Sequence, residues 1–180
     1  MLIGVTGTMA SGKDSVSEYL KEKGFFHFSL SDAIRTECDK RGLPKDRDTL
    51  RNLGNELREK QGANVLAKLA IHAIATNGAK NTVITSIRNP EEIKLLKKQG
   101  DFIFLAVDAP IELRYERTKS RHRESDFIDF ETFKNQEEAE MAGGPGKQNL
   151  AEVIAMADHI LINNSTVEDL RKKINEILKI

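Results

Sequence analysis

The stretch VTGTMASGKDSVSEYL, residues 5–20, constrains this chain more than any other. A short β-branched apolar run, LIGV at 2–5, leads into Gly7, and helical spacing begins after Gly12 with Val16, Tyr19 and Leu20 on one face. A strand, a glycine-rich loop and a helix in immediate succession make a cradle for phosphate. The glycines let the backbone wrap an anion, the loop N–H groups point inward, and the helix N-terminus adds its dipole. The candidate phosphate-binding residues are therefore Gly7, Thr8, Met9, Ala10, Ser11, Gly12, Lys13, Asp14 and Ser15. Lys13 supplies the point charge between the outer phosphates.

One residue departs from the usual pattern. A Ser or Thr hydroxyl ordinarily follows the lysine and ligates Mg²⁺, but here Asp14 follows and the hydroxyl arrives one place late, at Ser15. A carboxylate suits a hard cation, so Asp14 is a candidate metal ligand directly or through water, and Ser15 is the second candidate. Asp14 also favours the positive end of the helix, whatever its role toward metal.

The remaining pattern alternates strands with helices. Apolar runs at 25–28, 81–87, 101–107 and 158–162 read as four further strands. Helices are expected at 29–42, 46–60, 63–76, from Pro90, from Pro110 to about Ser120, and after a capping box spanning Ser165 to Glu168. Five strands alternating with helices imply an α/β fold: a parallel sheet covered on both faces, with ligands at the carboxyl edge. The helices at 46–76 and the charged segment 121–149, which contains AGGPGK, read as insertions over that edge. No linker divides the chain, so residues 1–180 are expected to form one domain.

Composition narrows the function. The 28 basic and 28 acidic residues cancel, which leaves no global field to attract nucleic acid or an anionic membrane. No apolar run is long enough to span a bilayer, no leader pattern precedes the loop, and the single cysteine, Cys38, suits a reducing cytoplasm. Phosphate recognition must come from a few positioned side chains. The four histidines lack metal-ligand spacing.

Three arginine clusters answer that need. FSLSDAIR, 28–35, carries Arg35 one helical turn after Asp32, and ITSIRNPEE, 84–92, puts Arg88 after the third strand. A guanidinium fork holds a terminal phosphate bidentately, which an ammonium does less well. APIELRYERTKSRHR, 109–123, sets Arg114, Arg117 and Arg121 on one helical face before the charged segment, with Arg123 beyond. Arg117 and Arg121 are expected to neutralise a transferring phosphoryl group, and Arg114 to be structural.

On these motifs the chain resembles the superfamily of P-loop nucleoside and nucleotide monophosphate kinases, adenylate kinase-like and dephospho-CoA kinase-like. The loop, Arg35, Arg88 and the arginine helix carry the resemblance, and the C-terminal ADHILINNS is similar to the end of dephospho-CoA kinases. The resemblance implies a P-loop NTPase fold with sheet order 2-3-1-4-5, an acceptor-binding region at about 29–78 and a lid at about 117–149. It implies ATP and Mg²⁺ as cofactors, Arg35 and Arg88 as acceptor-phosphate ligands, and Asn163 and Asn164 near the adenine. Thr85 and Ser86 stand where the family has a strand-end carboxylate.

The expected activity is transfer of the γ-phosphoryl group of ATP to a nucleoside or deoxynucleoside monophosphate, or to a similar small phosphorylated acceptor. If the acceptor is instead a hydroxyl, as in dephospho-CoA, Asp32 is the candidate base. A third reading is a non-kinase switch driven by ATP binding. None involves nucleic acid or a membrane, and the sequence sets no oligomeric state.

Overall fold

The computed structural model describes residues 1–121, 128–143, 147 and 149–180. Five strands, β1 (Leu2–Gly7), β2 (Phe26–Ser29), β3 (Thr82–Thr85), β4 (Phe102–Asp108) and β5 (His159–Ile162), form one sheet in the order β2-β3-β1-β4-β5. Every pairing is parallel, with Leu2 opposite both Thr82 and Phe102, Phe26 opposite Thr82, and Leu105 opposite His159. This is the expected P-loop NTPase order. It brings the C-terminal ends of the central strands together at one edge.

The helices are α1 (Lys13–Glu22), α2 (Leu30–Arg41), α3 (Arg47–Gln61), α4 (Val65–Asn77), α5 (Pro90–Lys97), α6 (Ile111–Arg121), α7 (Phe130–Met141), α8 (Leu150–Ala155) and α9 (Val167–Leu178). Strand alternation sends Ile84 and Phe104 to one face of the sheet, where they pack with Ile34, Leu57, Leu66 and Val153 from helices α2, α3, α4 and α8. The other face carries Ile3, Val5, Val83 and Leu105, covered by Leu20 of α1 and Ile174 of α9. Each fully buried side chain of this size contributes about 1.5–3 kcal/mol relative to exposure. Among the described residues, no helix is long and apolar enough to cross a membrane.

Several boundaries follow local chemistry. Ser29 caps α2 by accepting from the Asp32 N–H at 3.2 Å, and Gly42 ends it at φ 64°. Asn89, Pro90 and Glu92 make a complete capping box at the start of α5.

Three expectations need correction. The last helix is capped by Thr166, which accepts from the Asp169 N–H at 3.1 Å, so the box does not start at Ser165. The Ser165 hydroxyl donates to the Asp169 carboxylate instead, which moves the cap one residue on. The helices at 46–76 are not only insertions over the edge, because Val65, Leu66, Ala67 and Ala70 of α4 are buried in the core. Segment 121–149 holds an ordered helix, α7, with Phe133 wholly buried against Tyr115 at a ring separation of 5.6 Å. Helix α8 had no counterpart in the sequence reading.

Candidate active site

The loop between β1 and α1 is held from three sides. Gly7 (φ 145°) lies so close to β4 that a Cβ there would stand 2.0 Å from the Val107 carbonyl oxygen, so only glycine fits. The Thr8 hydroxyl donates to Asp108 Oδ1 at 2.7 Å, tying the loop to the end of β4. Asn163, just past β5, donates to the Ser11 carbonyl at 2.8 Å and sits where a Cβ on Gly12 (φ 107°) would fall 2.1 Å from its amide nitrogen. Ala10 takes a left-handed conformation, φ 57°, at the loop's crest. Strain of that kind persists where surrounding contacts impose it, and it concentrates at ligand sites.

The loop fits a polyphosphate. No side chain caps the N-terminus of α1, which leaves its first amides facing the cavity bounded by Gly12, Lys13, Ser15, Arg117 and Asn163. That cavity holds about 260 Å³. Arg117, which lines this cavity, has its Nη1 buried without a hydrogen-bond partner among the described residues, as a site built for an oxyanion would leave it. The other terminal nitrogen of Arg117, Nη2, donates to the Asn163 carbonyl at 3.0 Å. Burial pulls the Arg117 guanidinium below its ordinary pKa. Asn163, a weak adenine-side candidate in the sequence, thus braces both loop and arginine, whereas Asn164 is exposed.

Lys13 Nζ donates to the Thr8 carbonyl at 2.5 Å. Its ammonium is pushed down from 10.5 to about 7, first by burial and next by the neighbouring Arg88 guanidinium, against the pull of Glu140 and Asp14. Asp14 is exposed on the wall between two cavities. Among the described residues no three acidic, His or Cys side chains gather to hold a metal ion. Mg²⁺ fits such a site, since it keeps most of its waters and takes one or two carboxylates together with phosphate oxygens. Asp14 and Ser15 would be its protein ligands.

The second cavity, about 660 Å³, lies on the β2–β3 side and is bordered by Arg35, Arg47 and Arg88, with Asp32, His27 and the hydroxyls of Ser29, Ser31, Thr85 and Ser86. Ala10, Lys13 and Asp14 belong to both cavities. Arg35 pairs with Asp32 of its own helix at 3.8 Å, and both are well exposed. Thr85 shares a 2.8 Å hydrogen bond with His27 Nε2, and burial, more than the nearby Lys21, lowers the His27 pKa. Ser86 ends β3 in a left-handed turn, φ 65°, that sends the chain toward Arg88.

Arg88 is fixed from behind. Its backbone N–H donates to Glu92 Oε2 at 2.9 Å, and Glu92 is in turn paired with Arg58 at 2.9 Å with both side chains almost wholly buried. Its guanidinium donates to Glu140 of α7 at 2.6 Å, and Arg47 approaches the same carboxylate at 3.6 Å. Burial by itself would raise the Glu140 pKa, but Arg88, Arg47 and Lys13 hold it below the usual carboxylate range. Arg114, expected to be structural, is buried, donates to the Ala109 carbonyl at 2.6 Å and pairs with Glu137.

The structure therefore brings Lys13, Asp14, Ser15 and Arg117 around one cavity, and Asp32, Arg35 and Arg88 around the adjoining one. Arg121 closes α6 with its side chain outside the described residues, and Arg123 and residues 144–146 of the AGGPGK turn lie outside them too. Sequence reasoning missed Arg47, Arg58, Glu137 and Glu140. None of these four had a local signal; the nearest was Glu92, the partner of Arg58, as the acidic third position of a capping box.

Comparison with known proteins bears on the family and the fold. A family profile described as an AAA domain matches residues 3–143. A UPF0200 protein of Sulfurisphaera tokodaii is 35% identical over 178 residues, covering 99% of this chain and 96% of its own. Another, from Thermococcus gammatolerans, is 34% identical over 99% of this chain and 94% of its own. Among solved structures, shikimate kinase from Aquifex aeolicus superposes with a TM-score of 0.56 at 22% identity, over 99% of this chain and 96% of that one. A Bacteroides thetaiotaomicron shikimate kinase gives 0.57 at 14% identity, over 100% and 99%. The chain belongs to the AAA-domain and UPF0200 families and has the kinase-like form of the P-loop NTPase fold.

Proposed function

We propose that this protein is an ATP-dependent phosphotransferase that moves the γ-phosphoryl group of ATP to a nucleoside or deoxynucleoside monophosphate, or to a similarly small phosphorylated acceptor. One observation carries the reading: two cavities, one at a phosphate loop and one ringed by arginines, share Ala10, Lys13 and Asp14 as their common wall. A switch that only binds or hydrolyses ATP has no use for the second cavity.

In this reading the loop amides of Gly7 to Lys13 and the start of α1 hold the donor's β- and γ-phosphates. Arg88 and Arg35 hold the acceptor phosphate so that one of its oxygens lies in line with the γ-phosphorus. That oxygen forms the new P–O bond as the bond from the γ-phosphorus to the β-γ bridging oxygen breaks, and the electron pair leaves on ADP. An ionised phosphate carries no proton to remove, so no base takes part. Lys13 and Arg117, with Arg121 expected beside them, stabilise the charge on the three equatorial oxygens, an effect worth about 10³-fold or more per arginine in enzymes of this chemistry. Mg²⁺, held with the phosphates by Asp14 or Ser15, would screen their mutual repulsion. Residues 29–78 form the acceptor region, and 117–149 the lid that excludes water, within a single domain of 1–180.

Hydroxyl phosphorylation keeps one observation in its favour: Asp32 lies on the acceptor wall, 3.8 Å from Arg35, where a base for a hydroxyl acceptor would be needed. The test is ADP release from ATP and Mg²⁺ across ribo- and deoxynucleoside monophosphates, dephospho-CoA and a blank without acceptor. Strong stimulation by one monophosphate, lost in Lys13→Ala, is the expected result. Stimulation by dephospho-CoA alone would move the assignment to a hydroxyl acceptor, and a flat panel with slow background hydrolysis would refute transfer.

A further inference from the structure

Helix α7 runs beside the acceptor cavity and presents two carboxylates, Glu137 and Glu140, one turn apart. Each is bonded to an arginine of the site, Glu137 to Arg114 and Glu140 to Arg88, with Arg47 also at Glu140. The Glu140 side chain is 13% exposed, Arg88 17% and Arg47 23%, so this is an inner cluster of the molecule and no loose surface pairing. Two guanidiniums, Arg47 and Arg88, both on the wall of the acceptor cavity, converge on this one carboxylate, at 3.6 and 2.6 Å. An anion with two charges and three terminal oxygens would satisfy them better than a carboxylate, because each guanidinium could then form its own bidentate pair.

The hold on α7 divides into two parts. Its one buried apolar anchor is Phe133, seated against Tyr115, which also contacts Phe130 edge-on at 5.2 Å. Glu140 lies almost two turns further along, near the helix end at Met141. The C-terminal half of α7 is thus fastened to the site largely by charge, and charge is what an incoming anion competes for.

We propose that Glu140 holds the place of the acceptor's phosphate: Arg47 joins Arg88 in binding that phosphate, and its arrival displaces the Glu140 carboxylate and releases the C-terminal half of α7. This rests on the reading of the second cavity as an acceptor site, and adds Arg47 as a binding residue and Glu140 as its competitor. It gives the site a selection rule. A neutral or singly charged acceptor cannot outbid a carboxylate that is already attached to the helix, whereas a phosphate dianion can. It also links acceptor binding to movement of α7, which leaves its ligand-free position only when the right anion is present.

The experiment titrates inorganic phosphate into the full chain by calorimetry. Glu140→Gln keeps the shape and removes the competing charge. It is expected to bind phosphate about tenfold to a hundredfold more tightly than the unaltered chain, the range set by one charge-assisted hydrogen bond. Adding Arg47→Ala to Glu140→Gln should abolish the gain. No gain in Glu140→Gln overturns the proposal, and so does a gain that survives loss of Arg47, since phosphate would then sit elsewhere, in the loop. Hydrogen exchange on the unaltered chain decides independently of whether the variants fold. Saturating phosphate should speed exchange of the backbone amides at 138–141, and unchanged or slower exchange there overturns the release of α7. The two readings fail separately. A gain with a flat acceptor panel leaves the competition standing and removes the kinase, while a stimulated panel without the gain does the reverse.

Discussion

Lys13 sets a sharp test of the loop, because its charge state differs between the empty and the filled site. In the ligand-free chain its ammonium titrates at about 7, down from 10.5. A polyphosphate in the loop supplies the opposite charge that burial and Arg88 withhold, and returns the group toward its ordinary value. At pH 8 about one-tenth of Lys13 is protonated before binding and essentially all of it after, so binding should take up about 0.9 proton. The same arithmetic makes nucleotide affinity fall about fiftyfold between pH 7 and pH 9, as the lysine must be charged at growing cost. Folding runs with the opposite sign. The unfolded chain keeps Lys13 near 10.5, so the group weighs fully against the ligand-free fold below pH 7, and that penalty shrinks as pH rises from 7 to 10.5. The assay is calorimetry of a non-hydrolysable ATP analogue at pH 8, in two buffers of different ionisation enthalpy. At that pH the nucleotide's own phosphates are already ionised and contribute little. Lys13→Met should abolish the uptake. Uptake below about 0.2 proton in the unaltered chain would refute the argument that the empty loop holds a neutral lysine.

Two further outcomes follow from contacts around the loop and behind Arg88. Arg58→Ala leaves the Glu92 carboxylate buried beside the Arg88 and Asn89 amides without its guanidinium; a loss of about 3–5 kcal/mol is expected in denaturant unfolding, and a loss under about 1 kcal/mol would contradict the pair's structural role. Gly12→Ala drives a methyl into Asn163 and forces an unfavourable φ on the loop, so nucleotide binding should weaken by about a hundredfold or more while the far-ultraviolet circular dichroism stays unchanged; wild-type affinity would show that the loop adapts.

The scaffold was legible because its signals are local. Each strand is a short apolar run flanked by turn residues, and Asn89-Pro90 or Gly42 mark helix ends by chemistry confined to a few residues. The loop was legible for the same reason: glycines, lysine and helix start are consecutive. Arg88 and Arg117 could be picked out because a position just past a strand, or before a charged segment, limits where a side chain can go. The misses came from pairings far apart in sequence. Arg47 and Glu140 are separated by 93 residues, and each by itself reads as a solvated helix residue. The shift from Ser165 to Thr166 at the last cap arose because neighbouring hydroxyls compete for one carboxylate and one amide.

The charged character of 130–141 has a physical reason that only the fold supplies. Lys13, Arg47, Arg88 and Arg114 converge near the carboxyl edge of a sheet, and cations gathered in a half-buried place repel one another. Depression of the Lys13 pKa, to which Arg88 contributes, shows that this repulsion is felt. A chain with balanced total charge can still carry such a local excess, provided that another segment returns the missing negative charge. Helix α7 does so through Glu137 and Glu140, and needs little apolar surface of its own, since one buried phenylalanine positions it and the carboxylates fasten it. Its polarity therefore marks attachment to the site, and the same polarity is what makes the attachment reversible by a stronger anion.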